Sequence, residues 1–334
     1  FGLLPLTALI FQRFSLVATP VNLVAVPLFS FLVVPLTLAW LAVGEISDNL
    51  AELVMGLAAR FIDGLGALIA WAANLPMGHW SLAALSCGSI LLLLVPLAWV
   101  VLPPGWPARR VAVLGVIAVV AWKPPPPPAG CFDTWVLDVG QGLAVAIETR
   151  HALSLYDTGI AWRGGGSSAE QVIVPFLRSR GIVRIDRLVV SHSDVDHSGG
   201  VGVLRDQFDV DFTIFGEPPP GDAWGCSAGQ SWWSGAVGFE LLHPPAPLEV
   251  DGNDASCVLR VSAGPHALLL TGDIEAGVER DLVQRRARLG ADVAVVPHHG
   301  SLTSSSVPFV NSVRADVAIV SAAHANRWGF PKQQ

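Results

Sequence analysis

The densest chemistry in the chain lies in one stretch, Ser191-His192-Ser193-Asp194-Val195-Asp196-His197-Ser198-Gly199-Gly200, which directly follows the apolar residues Leu188 to Val190. Two imidazoles and two carboxylates fall within six positions. Core packing gives no reason for them, because burying uncompensated carboxylates is costly. Metal cations supply the compensation. His192, Asp194 and Asp196 alternate along the loop and His197 adjoins the last, so the segment can serve two ions at once. Two further sites would complete a binuclear centre. Asp273 follows the apolar run 267–270 in Thr271-Gly272-Asp273, and His298-His299 follow 293–296 in Pro297-His298-His299-Gly300-Ser301. We assign His192 and Asp194 to one ion and Asp196, His197 and His298 to the other, with Asp273 bridging. Asp196 and His299 are assigned to the reaction itself, and the choice between His298 and His299 as ligand stays open. Oxygen-rich ligation admits manganese as well as zinc. Two such ions make water a nucleophile near neutral pH and stabilise charge developing at phosphorus or carbonyl, so the chemistry expected is metal-dependent hydrolysis.

The elements that must position these groups alternate between strands and amphipathic helices. Strands are predicted over 134–139, 143–148, 152–156, 187–190, 237–242, 257–261, 267–270, 293–296 and 317–320. Helices are predicted over 169–180, closed by Gly181, and over 275–288, with Gly290 just beyond. Strands come in runs with helices interspersed, which fits an α+β sheet sandwich flanked by helices better than a doubly wound sheet. Gly140-Gln141-Gly142 and Asp157 are expected to shape the site rather than bind metal. The segment Gly164-Gly165-Gly166-Ser167-Ser168 lacks the lysine of a phosphate-binding loop and reads as a flexible connection.

Charge divides the chain. Residues 1–130 hold five Lys/Arg (Arg13, Arg60, Arg109, Arg110, Lys123) and four acids (Glu45, Asp48, Glu52, Asp63), leaving an excess of eight acidic side chains in the remainder. Residues 14–44 and 84–102 carry no charge and are long enough to cross a bilayer core. Pro20, Pro27 and Pro35 interrupt the first run. Residues 45–75, with charges among apolar positions, read as a helix on the membrane surface. The stretch 111–122 is the weakest candidate span. The positive-inside rule puts Arg13 and Arg109-Arg110 in the cytoplasm, and a crossing by 111–122 would place the acidic half outside, beyond a stiff spacer at Pro124–Pro128. There, in an oxidising compartment, two of Cys131, Cys226 and Cys257 could pair, Cys226 with Cys257 foremost; three buried thiols are the alternative.

The motifs together resemble those of the metallo-β-lactamase superfamily and, more closely, the C-terminal part of the ComEC family of competence DNA-uptake channels. The residues that carry the resemblance are Asp138-Val139-Gly140-Gln141-Gly142, Tyr156-Asp157-Thr158-Gly159, His192 to Gly200, Asn253-Asp254-Ala255-Ser256, Leu270-Thr271-Gly272-Asp273, His298-His299-Gly300-Ser301 and Asn326-Arg327-Trp328-Gly329. Asp194 stands at the superfamily's second histidine, Leu143 where many relatives have Asp, and Phe330 where some have His. No histidine between Gly200 and Asp273 is a clear further ligand: His243 precedes Pro244-Pro245 and His266 opens a strand. Asn253 or Asp254 could serve instead.

The resemblance implies a membrane α-helical segment followed by a four-layer αββα metallo-β-lactamase-type sandwich. It implies competence-domain helices over 1–123, a polyproline linker over 124–130 and a hydrolase domain over 131–334, in a fragment truncated at both ends. The cofactors expected are two divalent ions, zinc or manganese. Arg327, Asn253 and Ser301 are expected to contact substrate. The implied function is DNA internalisation at the bacterial inner membrane, one strand passing through the channel while the hydrolase, outside, degrades the other. DNA, the membrane and other competence proteins are the expected partners. A non-catalytic gating or binding domain, and a hydrolase of another envelope phosphoester, are the alternatives.

Overall fold

The computed structural model describes residues 13–15, 17–73, 75, 80–81, 87–102, 105–217, 221, 223–246 and 251–332. It forms two compact units, Phe1–Lys123 and Pro124–Gln334.

The first unit is helical. Helix α1, Ala18–Gly44, is 27 residues long and apolar throughout. Pro27 and Pro35 lack the amide hydrogens that would bond back to Leu23 and Phe31, and the backbone between them widens into a π turn at Phe29–Val33. Helix α2, Asp48–Ala73, was expected on the membrane surface. It is one unbroken 26-residue helix that, by length and composition, could also cross a membrane as α1 could. Its four charges all fall between Asp48 and Asp63, leaving the last ten residues apolar. The second uncharged run becomes α3, Cys87–Val101, only 15 residues long; residues 84–86 of that run lie outside the described residues. Trp99 of α3 donates through Nε1 to Pro107 O at 2.9 Å, shortly before the 12-residue α4, Arg109–Val120. Gly115 of α4 packs on Pro96 of α3, where an added Cβ would come within 3.3 Å.

The second unit is built from two six-stranded sheets. In chain order the first comprises β1 (Phe132–Val136), β2 (Val145–Thr149), β3 (Leu153–Tyr156), β4 (Arg184–Val190), β5 (Asp209–Phe215) and β6 (Trp224–Gly225). The second comprises β7 (Ser231–Ser234), β8 (Val237–His243), β9 (Val258–Ala263), β10 (His266–Leu270), β11 (Val293–Val295) and β12 (Val317–Ile319). Strands neighbour one another in sequence order in both sheets. Each sheet starts antiparallel and ends parallel, the change coming at β3 in the first and β10 in the second. Parallel neighbours need crossovers. In the first sheet α5, a π turn at Ala169–Ile173 continued by Val174–Ser179, precedes β4, and the short helices α6 (Val195–Ser198) and α7 (Val201–Gln207) precede β5. In the second sheet α8 (Ala276–Gln284) and α9 (Val307–Val313) do the same work before β11 and β12.

Burial follows the layers. Val145, Ile147, Tyr156 and Val189 from the first sheet pack against Phe239, Leu241, Leu259, Val261 and Leu270 from the second. The outer face of the first sheet buries Leu155, Ile185 and Leu188 against Ile173, Leu177 and Leu204 of its helices. That of the second buries Val258 and Leu269 against Val278, Leu282, Phe309 and Val313. The result is the expected αββα arrangement. A disulfide joins Cys226, just after β6, to Cys257, just before β9, with Cα atoms 6.0 Å apart, and so ties one sheet to the other; Cys131 is free and exposed.

Candidate metal centre

Equivalent positions in the two sheets supply the site. Asp157 follows β3 and His192 follows β4; Asp273 follows β10 and His299 follows β11. Each lies just past the C-terminal end of a strand at the point where its sheet turns parallel, so the polar groups converge on one end of the sandwich.

The loop after β4 is held from behind. Asp157 is fully buried, with φ of +60°, and accepts from Ser191 N at 2.6 Å and Ser191 Oγ at 2.8 Å. The same carboxylate lies 2.7 Å from His197 Nδ1, which leaves His197 Nε2 facing inward, 3.2 Å from Asp273 Oδ1 and 3.3 Å from His299 Nε2. His299 is fixed in the same way: Nδ1 donates to Ser321 O at 2.6 Å, and Nε2 lies 3.3 Å from Asp273 Oδ2 and 3.5 Å from Asp196 Oδ2. His192 Nδ1 lies near the hydroxyls of Ser191 and Ser256, at 3.0 and 3.3 Å. Its Nε2 is buried and has no hydrogen-bond partner. Two overlapping triads result, His192–His197–Asp273 and Asp196–His197–His299, each with one ligand atom per residue and all three within 4.8 Å of one another.

Two glycines permit this closeness. Gly142, with φ of +122°, sits where a Cβ would fall 2.2 Å from Asp196 O. Gly272, with φ of +56°, lets the turn before Asp273 pass Ser256, whose Oγ accepts from Asp273 N at 3.0 Å.

A family model for the metallo-beta-lactamase superfamily matches residues 137–324. The chain belongs to that superfamily. A second model, competence protein, matches residues 1–107, so a competence domain precedes the metallo-beta-lactamase domain. "Competence protein ComA" of Neisseria gonorrhoeae is 34% identical over 99% of this chain and 46% of its own length. "Recombination protein 2" of Haemophilus influenzae is 34% identical with the same coverage. "ComE operon protein 3" of Bacillus subtilis is 26% identical over all of this chain and 47% of its own length. The chain thus spans about half the length of these relatives. Among solved structures, the metallo-beta-lactamase fold protein YhfI from Bacillus subtilis aligns at 13% identity and TM-score 0.37, covering 58% of this chain and 87% of its own.

The superfamily implies a divalent cation, and the donor set of this metallo-beta-lactamase domain fits one. A fully buried imidazole nitrogen without a partner is costly unless something accepts its lone pair, and His192 Nε2 is such an atom. The tethering of His197 and His299 through Nδ1 is the pattern that orients metal-binding imidazoles.

Electrostatics show the same demand for positive charge. Burial would lower His197, but the Asp273 and Asp157 carboxylates outweigh it and hold the imidazole well above the ordinary histidine value. His299 is likewise pulled down by burial and pushed up more strongly by Asp196 and Asp273, to about 9. Burial would raise Asp273, yet His197 and His299 hold it well below the carboxylate range. Asp196 is lowered, its burial overcome by His299 and His197. Asp194 is lowered chiefly by its contact with His192.

Between His298 and His299, the choice left open by the sequence, the structure brings His299 and not His298 into a triad. Both adopt left-handed φ, +50° and +54°, and this turn carries His299 into the cluster beneath Ser321. His298 stays at the rim, Nδ1 3.2 Å from Thr303 Oγ1 and 3.5 Å from Glu275 Oε1, with Nε2 4.0 Å from Asp273 Oδ2. Asp194 is also at the rim, 59% exposed and 3.6 Å from His192 Nε2, and belongs to neither triad. Asp196, expected both as a ligand and in the reaction, lies in the second triad. His243 lies in neither triad, and its Nε2 is 2.7 Å from Asp254 O. Asn253 Nδ2 reaches Glu275 Oε1 at 3.4 Å, and Asp254 Oδ1 accepts from Glu275 N. Ser301 Oγ lies 3.1 Å from Thr303 Oγ1. Arg327 is exposed, over the ring of Trp328. The supporting roles of Ser191, Ser256 and Ser321 went unread in the sequence. Ser256 closes the Asn253–Ser256 motif, which was the one available signal; serines like the other two are common in any loop.

Proposed function

We propose that the metallo-beta-lactamase domain is a two-cation phosphodiesterase that cuts DNA beside a membrane domain carrying one strand across the bacterial inner membrane. The domain lies on the outer face and degrades the strand that is not carried. The observation that supports this best is His192 Nε2, buried without a hydrogen bond as a member of one of two overlapping ligand triads, in a domain preceded by competence-type helices. His197 Nε2 has one lone pair and can serve only one cation, so Asp196, His197 and His299 would hold one and His192 and Asp273 the other, with Asp194 close enough to His192 to join the second set. Cations there would supply Lewis acidity, activating water and offsetting charge on the phosphoryl group.

The chain's own residues orient and exclude. Asp157 and the Ser321 carbonyl fix which imidazole nitrogen faces the centre. His197, His192 and Asp273 lie behind walls that keep bulk water out. At the rim, His298 would meet the substrate, and the exposed Arg327 guanidinium matches phosphate oxygens. Sidedness is supported by the Cys226–Cys257 disulfide, which suits an oxidising compartment, and, where α2 stays on the membrane surface, by the basic residues Arg13 and Arg109-Arg110. Bound cations would offset part of the acidic excess that otherwise disfavours DNA.

His192→Ala in the full-length protein tests the reading, with DNA uptake and DNA cleavage scored separately. Cleavage and bound metal should both fall. Intact cleavage would overturn the ligand assignment. A second reading draws on the exposure of Asp194 and the sharing of His197 between triads, which leave one cation site thinly supplied. In it the domain binds or gates without cutting. Full metal occupancy with no cleavage of single-stranded or duplex DNA under zinc or manganese would favour it, and activity confined to small envelope phosphoesters would favour a different hydrolase.

A further inference from the structure

The loop after β12 carries a column of planar groups that runs from solvent to the metal centre. The Arg327 guanidinium lies 4.1 Å from the centroid of Trp328. Trp328 and Phe330 are stacked, 6.3 Å apart at 10°. Phe330 stacks in turn on His299, 6.4 Å away at 25°, and meets His298 edge-on at 6.0 Å. The loop is braced from within. Asn326 Nδ2 donates to the carbonyls of Ala323 and Phe330, and its Oδ1 accepts from Phe330 N at 2.9 Å. Lys332 N donates to Gly300 O at 2.9 Å, pinning the loop to the His298-His299 turn.

The column does nothing for the core. Trp328 is 41% exposed, and Arg327 makes no ion pair with any carboxylate among the described residues. The guanidinium lies over the Trp328 ring, so the outermost plane of the column is a cation backed by a rigidly held indole, which suits a planar π system that carries negative charge nearby. Trp328 itself lies two ring spacings from His299, so such a group, stacked at the outer end of the column, lies further out along the same line.

We propose that Arg327, Trp328 and Phe330 form a stacking subsite for an unpaired nucleobase of the strand being cut, so that the centre selects single-stranded over duplex nucleic acid. A base inside a duplex has both faces covered by its neighbours and cannot meet a protein ring, whereas an unpaired base can. Every base has a π face, so the subsite is indifferent to sequence. The inference rests on the phosphodiesterase reading for its substrate, but its test reads binding and so stands apart from catalysis.

The test uses full-length protein in detergent and three fluorescent ligands: a short single-stranded oligonucleotide, the same strand with abasic sugars, and the blunt duplex. Trp328→Ala should weaken binding of the single strand by about tenfold or more, since one stacked base contributes about 1–3 kcal/mol. Binding of the abasic strand and the duplex should not change, Trp328→Phe should keep most of the affinity, and bound metal should equal wild type in both variants. Equal single-strand affinity in wild type and Trp328→Ala overturns the subsite, as does an equal loss on the abasic strand. A protein that binds single strands through Trp328 yet cleaves no DNA upholds the subsite and refutes the phosphodiesterase.

Discussion

His298 and His299 differ by one position and by what their Nδ1 atoms touch: Thr303 and Glu275 for the first, the Ser321 carbonyl for the second. That difference should appear in metal content. His299→Ala should lose bound cation, while His298→Ala should keep it, and elemental analysis of the two purified variants decides; equal losses would return both residues to the ligand set. Asp157→Asn keeps the shape but weakens the acceptor behind His197, and such supporting partners are typically worth 10–100-fold in metal affinity. Protons compete for the same nitrogens. With His299 raised from about 6.5 to about 9, its proton stabilises the metal-free fold below pH 6.5, and that contribution is lost as pH rises towards 9. A cation must displace the proton, so metal affinity should climb through this window while metal-free thermal stability declines; chelator competition and melting curves at several pH values would show it. A flat affinity profile would mean that His299 is not displaced by metal. The His192–His197 loop and Asp273 were legible in the sequence because closely spaced carboxylates and imidazoles at strand ends have few other uses. The choice between adjacent histidines was not, because it turns on two left-handed φ values that no residue type there announces.

Elements with strong apolar patterning were equally legible. The strands at 143–148, 152–156 and 237–242 reappear as β2, β3 and β8 within two residues at each end. Two that were missed, β5 and β7, lack that patterning for different reasons. β5 opens Asp209-Val210-Asp211, whose acids break the apolar run, and its pairing to β4 rather than its composition makes it a strand. β7 is Ser231-Trp232-Trp233-Ser234 at a sheet edge, too short for alternation to register. Its Trp232 and Phe212 of β5 sandwich the Arg187 guanidinium, with centroids 4.8 and 5.1 Å away, a contact between sheets that periodicity cannot reveal. The turns that join elements make a sharper prediction. Gly140 and Gly142 both have positive φ, but a Cβ at Gly140 meets open space and one at Gly142 overlaps the Asp196 backbone. Gly140→Ala should therefore cost only the strain of its φ, of order 1–3 kcal/mol. Gly142→Ala should cost more and also reduce metal affinity by displacing the loop that carries Asp196 and His197. Denaturant midpoints and metal titration of the two variants separate the effects, and equal metal affinity in both would show that the Gly142 contact does not position the ligands.

At the scale of the whole chain, membrane and hydrolase chemistry are segregated by charge. The helices α1 and α2 are apolar enough to span, while the sandwich carries nearly all the acidic residues. What charge alone does not determine is how many times the first unit crosses, because α3 and α4, at roughly 22 and 18 Å by helical rise, are each shorter than the about 30 Å hydrocarbon core. The side on which the sandwich lies depends on that parity. Cys131 offers a direct reading, since it is exposed and unpaired at the start of the sandwich. If the domain faces outward, a membrane-impermeant maleimide added to intact spheroplasts should label the full-length protein at Cys131. Cys131→Ser should remove that label, and Cys226 and Cys257 should stay unreactive until a reductant opens their bond. Labelling of Cys131 only after the membrane is permeabilised would place the sandwich in the cytoplasm. The strand cut by the metal centre would then have to be one that had already crossed, and the proposal that the non-carried strand is degraded outside would fail on geometry alone.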